Sequence, residues 1–206
     1  RARIEALLNR CGFQSQGVFV VDGSRRSSHG NAYFTGFGRN KRIVFYDTLL
    51  ESLSEDEVEA VLAHELGHFK RNHIKKSLLL SSALSFVGFA LLAWLMRSGW
   101  FYSSLGVEAA STHAALILFV MIMPVFTYFI SPLFSAMSRK HEFEADEFAH
   151  LNSDYRALIS ALVNLYRDNA STLTPDPIHS MFYDSHPPAT IRINHLEAIA
   201  SGGSAD

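Results

Sequence analysis

Residues 54–76 read Ser-Glu-Asp-Glu-Val-Glu-Ala-Val-Leu-Ala-His-Glu-Leu-Gly-His-Phe-Lys-Arg-Asn-His-Ile-Lys-Lys, and residues 77–96 continue without one charged side chain. The first part is a helix whose start is written out. Ser54 is the N-cap, and Glu57 three residues later closes a capping box. Val58, Val61, Leu62 and Leu66 then recur at helical spacing. On such a helix His64 and His68 stand one turn apart on one face. Two imidazoles so placed can bind one Zn²⁺ at ~2.0–2.1 Å each. Glu65 projects beside them, where it is suited to take a proton from a water on the metal.

The apolar sequence beyond this helix decides the fold class. Residues 77–96 and 114–137 are two charge-free stretches, each long enough to cross a ~30 Å hydrocarbon core as a helix. The chain is too short to bury both as core helices of a soluble protein. Pro124 and Pro132 are expected to kink the second. Lys70, Arg71, Lys75 and Lys76 precede the first span, Arg139 and Lys140 come after the second, and the connection at 97–113 holds only Arg97 and Glu108. The positive-inside rule puts both outer flanks in the cytoplasm. An antiparallel hairpin then returns residues near 140 to the membrane face that carries His64 and His68.

A hydrolytic zinc needs a third protein ligand and an open position. The returning segment, Arg139 to His150, offers His141, Glu142, Glu144, Asp146 and His150. Glu142 and Asp146 share a helical face, and so do Asp146 and His150. Spacing leaves the choice between Glu142 and Asp146 open.

Composition narrows the partners. With 48% hydrophobic and 18% charged residues in 206, the chain is not a disordered one. A net charge of −2 excludes a globally basic nucleic-acid binder, so no nucleic-acid partner is expected. A single cysteine, Cys11, excludes an intramolecular disulfide and a Cys-rich zinc module, and it reads as a buried small hydrophobe. The opening RARIEALLNR reads as an amphipathic helix rather than a secretory leader, as expected of part of a longer chain. The terminal SGGSAD reads as a frayed tail. Residues 17–22, 32–37 and 42–46 read as short strands, with 36–41 as the turn of a hairpin. A strand containing Asn31 and Ala32 offers an edge to which an extended peptide could add.

These features together resemble one family, the type I CAAX prenyl proteases, integral-membrane zinc metalloendopeptidases of the a-factor-converting type. The stretches that match are Ser27 to Phe34 (SSHGNAYF), Lys41 to Leu49, His64 to His68, Arg139 to Asp146, and Ser185-His186-Pro187-Pro188 with Arg192. The resemblance implies that Glu142 is the third zinc ligand and that Asp146 hydrogen-bonds a ligand histidine. It implies that Asn31 and His186 lie near the substrate, His186 stabilising the oxyanion; Ala32 is a substrate-binding candidate through the strand edge. Arg192 is expected on the ligand carboxylate or the substrate. His29, His73, His113, His150, His179 and His195 remain as surface or packing residues. Full-length family members carry several more membrane helices around a large chamber, whereas this chain has two.

The expected architecture is mainly α, a membrane helical hairpin (77–137) joined to a zincin-like catalytic domain with a small sheet, built from 1–76 and 138–206. The expected partners are a lipid bilayer and a peptide or protein substrate, prenylated where the CAAX specificity holds. The expected site faces the cytoplasm, in a bacterial inner membrane or the endoplasmic reticulum. The alternatives are an HtpX-like membrane quality-control protease, which shares the two motifs, and a non-catalytic membrane scaffold holding a metal. Intact Glu65 argues against the scaffold.

Overall fold

The computed structural model describes residues 2–25, 30–35, 42–168 and 175–202. The turn expected at 36–41, the SSH start of the 27–34 stretch and most of the SGGSAD tail lie outside the described residues. The amphipathic opening forms α1 (Ala2–Arg10). Three short strands come next, β1 (Val18–Val21), β2 (Ala32–Thr35) and β3 (Arg42–Tyr46). They make one sheet in the order β1-β3-β2. The hairpin partners β2 and β3 are antiparallel, with Ala32 opposite Phe45. β1 lies parallel to β3 on its other side, with Val18 opposite Ile43. Ile43, Val44 and Phe45 of the central strand are all buried, as a strand covered on both faces requires.

A short α2 (Asp47–Ser52) leads to α3 (Glu55–Lys70), the helix of the two histidines. Its capping box is present. Ser54 Oγ accepts from Glu57 N–H, and the Glu57 carboxylate accepts from Ser54 N–H at 2.7 Å. Glu57 does more than cap: its Oε1 accepts from Ser160 Oγ at 2.6 Å and Asn164 Nδ2 at 2.8 Å on α7 (Tyr155–Asp168). Leu62, Ala63 and Leu66 of α3 are fully buried in the main core with Leu7, Phe45, Leu158, Ala161 and Leu196. Cys11 is buried in the same core.

Asn72, in a left-handed conformation (φ 57°) that asparagine tolerates better than most residues, separates α3 from α4 (His73–Leu95). A short α5 (Gly99–Ser103) closes the far end, where Leu95, Phe101, Tyr102 and Ala115 form a small separate core. α6 (Thr112–Asn152) then returns. α4 and α6 are both long and apolar enough to cross a membrane. Their large side chains, such as Leu79, Phe86, Phe89, Met121 and Phe129, point outward rather than into protein.

α6 is longer than the second span alone. It continues through Pro124 and Pro132 and carries the Arg139–His150 segment on the same unbroken helix. A proline leaves the carbonyl four residues back without its helical N–H. For Pro132 that carbonyl belongs to Tyr128, and Ser131 Oγ donates to it at 2.8 Å. The last two helices are α8 (Pro177–Tyr183) and α9 (Ala189–Ala200). Arg139 ties α8 to α6, donating to Ser180 O at 3.1 Å and Asp184 O at 2.9 Å.

The close approach of α3 and α6 rests on Gly67. A Cβ there would stand 2.9 Å from Ala145 Cα and 3.0 Å from both Ala145 O and Phe148 Cβ. The glycine inside the His-Glu-Leu-Gly-His motif is what lets the two histidine-bearing turns of α3 lie against the backbone of α6.

Candidate metal centre

At the α3–α6 contact the structure brings three donors together. His64 Nε2 and His68 Nε2 are 3.2 Å apart. Glu142 Oε2 is 3.6 Å from His64 Nε2, and Glu142 Oε1 is 3.3 Å from His68 Nε2. Tetrahedral coordination at ~2.0–2.1 Å spaces ligand atoms about 3.3 Å apart, so the three fit one ion. A second observation agrees. Glu142 is 3% exposed, yet its Oε2 has no aligned hydrogen-bond donor. Its near neighbours, His186 Nδ1 at 2.9 Å and Arg192 Nη1 at 3.3 Å, are not aligned to donate to it, so a lone pair of this buried oxygen stays open to a cation. This is the one His/Cys/Asp/Glu group suited to a metal among the described residues.

The surrounding groups orient the donors. Asp146 is wholly buried, and its Oδ1 is 2.8 Å from His64 Nδ1. A proton on Nδ1 leaves His64 Nε2 as the free lone pair, as metal ligation needs. Asp146 is itself held by Arg192 of α9, Nε to Oδ2 at 2.8 Å and Nη2 to Oδ1 at 2.5 Å, a bidentate pair. Arg192 Nη1 also lies 3.3 Å from Glu142 Oε2. Arg192 is thus buried on the carboxylates rather than facing outward.

Burial works to raise the Glu142 carboxyl, but contacts from His186, His64 and His68 outweigh it and hold the group well below the usual carboxylate range. For His64, burial and the Arg192 charge work downward, and the contacts to Asp146 and Glu142 carry it up to about 9. A metal on Nε2 competes with that proton.

His186 stands at the open side, 65% exposed, with Nδ1 2.9 Å from Glu142 Oε2. Pro187 beneath it is fully buried, and its carbonyl accepts from Tyr166 Oη at 3.3 Å, which anchors the loop. Glu65 follows His64 on α3, is half-buried, and has no hydrogen-bond or ion-pair partner among the described residues.

β2 is an edge strand, packed on α3. Asn31 is exposed, and its carbonyl accepts from Tyr46 N–H at 2.9 Å. Backbone groups alternate sides along an antiparallel strand, so the N–H and C=O of Ala32 face the open edge. The Ala32 side chain is core, and only its backbone can meet a peptide.

The remaining candidates on α6 divide. His150 packs against Tyr155, away from the donors. Glu144 and His141 do not join the donor group but meet a residue that sequence reasoning set aside. His73, the first residue of α4, is 4% exposed. Its Nδ1 is 3.0 Å from His68 Nδ1, its Nε2 is 2.9 Å from Glu144 Oε2, and its ring stacks on His141 at 4.1 Å. The sequence signal was faint: an Asn that can end a helix, with a histidine directly after it.

The comparison that decides membership is a family model. Residues 1–200 match Peptidase family M48. The chain belongs to that family. Among M48 relatives it is 37% identical over 213 residues to CAAX prenyl protease 1 of Saccharomyces cerevisiae, covering 96% of this chain and 47% of that one. It is 42% identical over 199 residues to the CAAX prenyl protease 1 homolog of Oryza sativa subsp. japonica, covering 96% and 47%. The Homo sapiens homolog is 33% identical over 238 residues, covering 97% and 50%. The crystal structure of S. mikatae Ste24p superposes with a TM-score of 0.86 at 37% identity, covering 95% of this chain and 49% of that chain. The chain spans about half the length of the curated relatives it matches.

Proposed function

We propose that this chain forms the metal centre of an integral-membrane zinc endopeptidase acting at the cytoplasmic face. The reading rests on the His64–His68–Glu142 donor set, spaced for one tetrahedral ion, with Glu65 directly after His64 on the same helix. The relatives named CAAX prenyl protease 1 support a substrate of prenylated CAAX protein, cut to release its C-terminal tripeptide.

His64, His68 and Glu142 would hold the zinc, which supplies Lewis acidity and lowers the pKa of a water. Asp146 accepts the His64 Nδ1 proton and keeps its Nε2 available. Arg192 offsets the charge of buried Asp146, and the metal would offset that of Glu142, so neither carboxylate is left uncompensated. Glu65 takes the proton of the attacking water and delivers it to the leaving amine. His186 donates to the oxygen that gains charge as the scissile carbonyl becomes tetrahedral. The substrate lies extended along β2, its backbone paired with Ala32 and held by Asn31.

The test is cleavage of a farnesylated CAAX peptide by detergent-purified protein, with mass spectrometry of the released tripeptide. Cleavage lost on chelation, restored by zinc and absent in Glu65→Gln is expected. Full activity of Glu65→Gln would overturn the assignment of the base.

A further inference from the structure

We propose that His73 and Glu144 position the metal ligand His68 by fixing its tautomer, through a relay that runs from Glu144 to His73 to His68. The inference rests on the reading of His68 Nε2 as a ligand.

The geometry admits one proton arrangement for neutral rings. His73 Nε2 lies 2.9 Å from the Glu144 carboxylate, and an acceptor so close requires Nε2 to carry the proton. His73 Nδ1 is then an acceptor. It lies 3.0 Å from His68 Nδ1, so His68 must donate from Nδ1. That leaves the lone pair of His68 on Nε2, the atom 3.2 Å from His64 Nε2 and 3.3 Å from Glu142 Oε1. The reverse tautomer of His73 would set two acceptors against each other at Glu144 and turn a proton of His68 toward the metal.

Each ligand histidine is therefore oriented by a carboxylate of α6. Asp146 reaches His64 directly, and Glu144 reaches His68 through His73. The backbone explains the difference. Asn72 turns the chain in a left-handed step (φ 57°), so that His73 heads α4 while folding back onto the last turns of α3. His141 stacks on the His73 ring, 10° from parallel, and fixes its plane. At 4% exposure, His73 excludes the water that would otherwise accept from His68 Nδ1.

The experiment is metal affinity, measured on the intact protein in detergent by zinc competition against a chromophoric chelator, with the Co²⁺ absorption spectrum as a second readout. Two substitutions separate positioning from packing. His73→Phe keeps the stacked ring and removes the acceptor. His73→Asn loses the ring but keeps an oxygen near the Nδ1 position. Positioning through the hydrogen bond predicts a 10–100-fold loss of affinity in His73→Phe, an altered Co²⁺ spectrum, and recovery of most of that loss in His73→Asn. Glu144→Leu should weaken binding in the same direction, and adding it to His73→Phe should cost little more. Wild-type affinity in His73→Phe, or an equal loss in His73→Asn, would overturn the proposal. Failure of the underlying reading looks different: His68→Ala would then keep its metal.

Discussion

Replacing Gly67 by alanine should loosen the metal centre without touching a ligand. The new Cβ would sit 2.9 Å from Ala145 Cα and 3.0 Å from Ala145 O and Phe148 Cβ. Ordinary carbon contacts begin near ~3.5 Å, and two of these neighbours are backbone atoms that cannot rotate away. α3 and α6 must therefore part by roughly 0.5–1 Å. Glu142 sits one turn from Ala145 on α6, while both histidines sit on α3. Metal–ligand distances tolerate only about 0.2 Å, so the Glu142 bond is the one that fails. Alanine gains about 1 kcal/mol of helix propensity over glycine, set against about 1–3 kcal/mol for overpacking. The net loss of fold stability is then about 0–2 kcal/mol, and the helices survive. Metal content, measured by mass spectrometry across a chelator series with circular dichroism as the fold control, should show affinity down tenfold or more. Gly88, where a Cβ meets nothing within 4 Å, is the matched control, and Gly88→Ala should bind as wild type. A Gly67→Ala protein with unchanged affinity would refute the close-approach argument.

The same structure sets other outcomes. Glu57→Ala removes the acceptor of Ser160, Asn164 and the Ser54 N–H and should cost about 1–3 kcal/mol in a denaturation midpoint. Burial works to raise Glu57, yet these donors hold its carboxyl below 4.5. Its contribution is thus present above pH ~4.5 and lost as pH falls below it, and Glu57→Gln should flatten that acid limb. Arg192→Met strands two buried carboxylates and should cost about 3–5 kcal/mol, read as loss of folded yield or a lowered Tm. A single cysteine at Ser104, in a Cys11→Ser background, should resist labelling from the cytoplasmic side of sealed vesicles. Labelling from that side would reverse the proposed orientation.

The parts of the fold legible in the sequence are local ones. The α3 helix, its Ser54–Glu57 box and the pairing of β2 with β3 depend on residues a few positions apart. The two apolar stretches carry their length in the sequence, and the hairpin they form explains why Glu142 meets His64 across 78 positions of chain. Two things were not legible. The parallel placement of β1 on β3 pairs Val18 with Ile43 and Val21 with Tyr46 across 25 positions of chain, which no local pattern encodes. The unbroken course of α6 through Pro124 and Pro132 depends on substitute donors such as Ser131 Oγ.

At the site, spacing left Glu142 and Asp146 as equal candidates, because residues four apart share a face. Tertiary geometry separates them: Glu142 Oε1 faces His68 Nε2, and Asp146 faces the other nitrogen of His64. His73 escaped because both of its partners are set by the fold. Glu144 comes from α6, and His68 comes within reach only through the left-handed turn at Asn72.

The most direct test of the account is bound metal per chain in five proteins: wild type, Glu65→Gln, His64→Ala, His68→Ala and Glu142→Ala. About one zinc is expected in wild type and in Glu65→Gln, with loss of tight binding in the other three. Tight zinc retained by Glu142→Ala would contradict it, because the third ligand would then lie elsewhere.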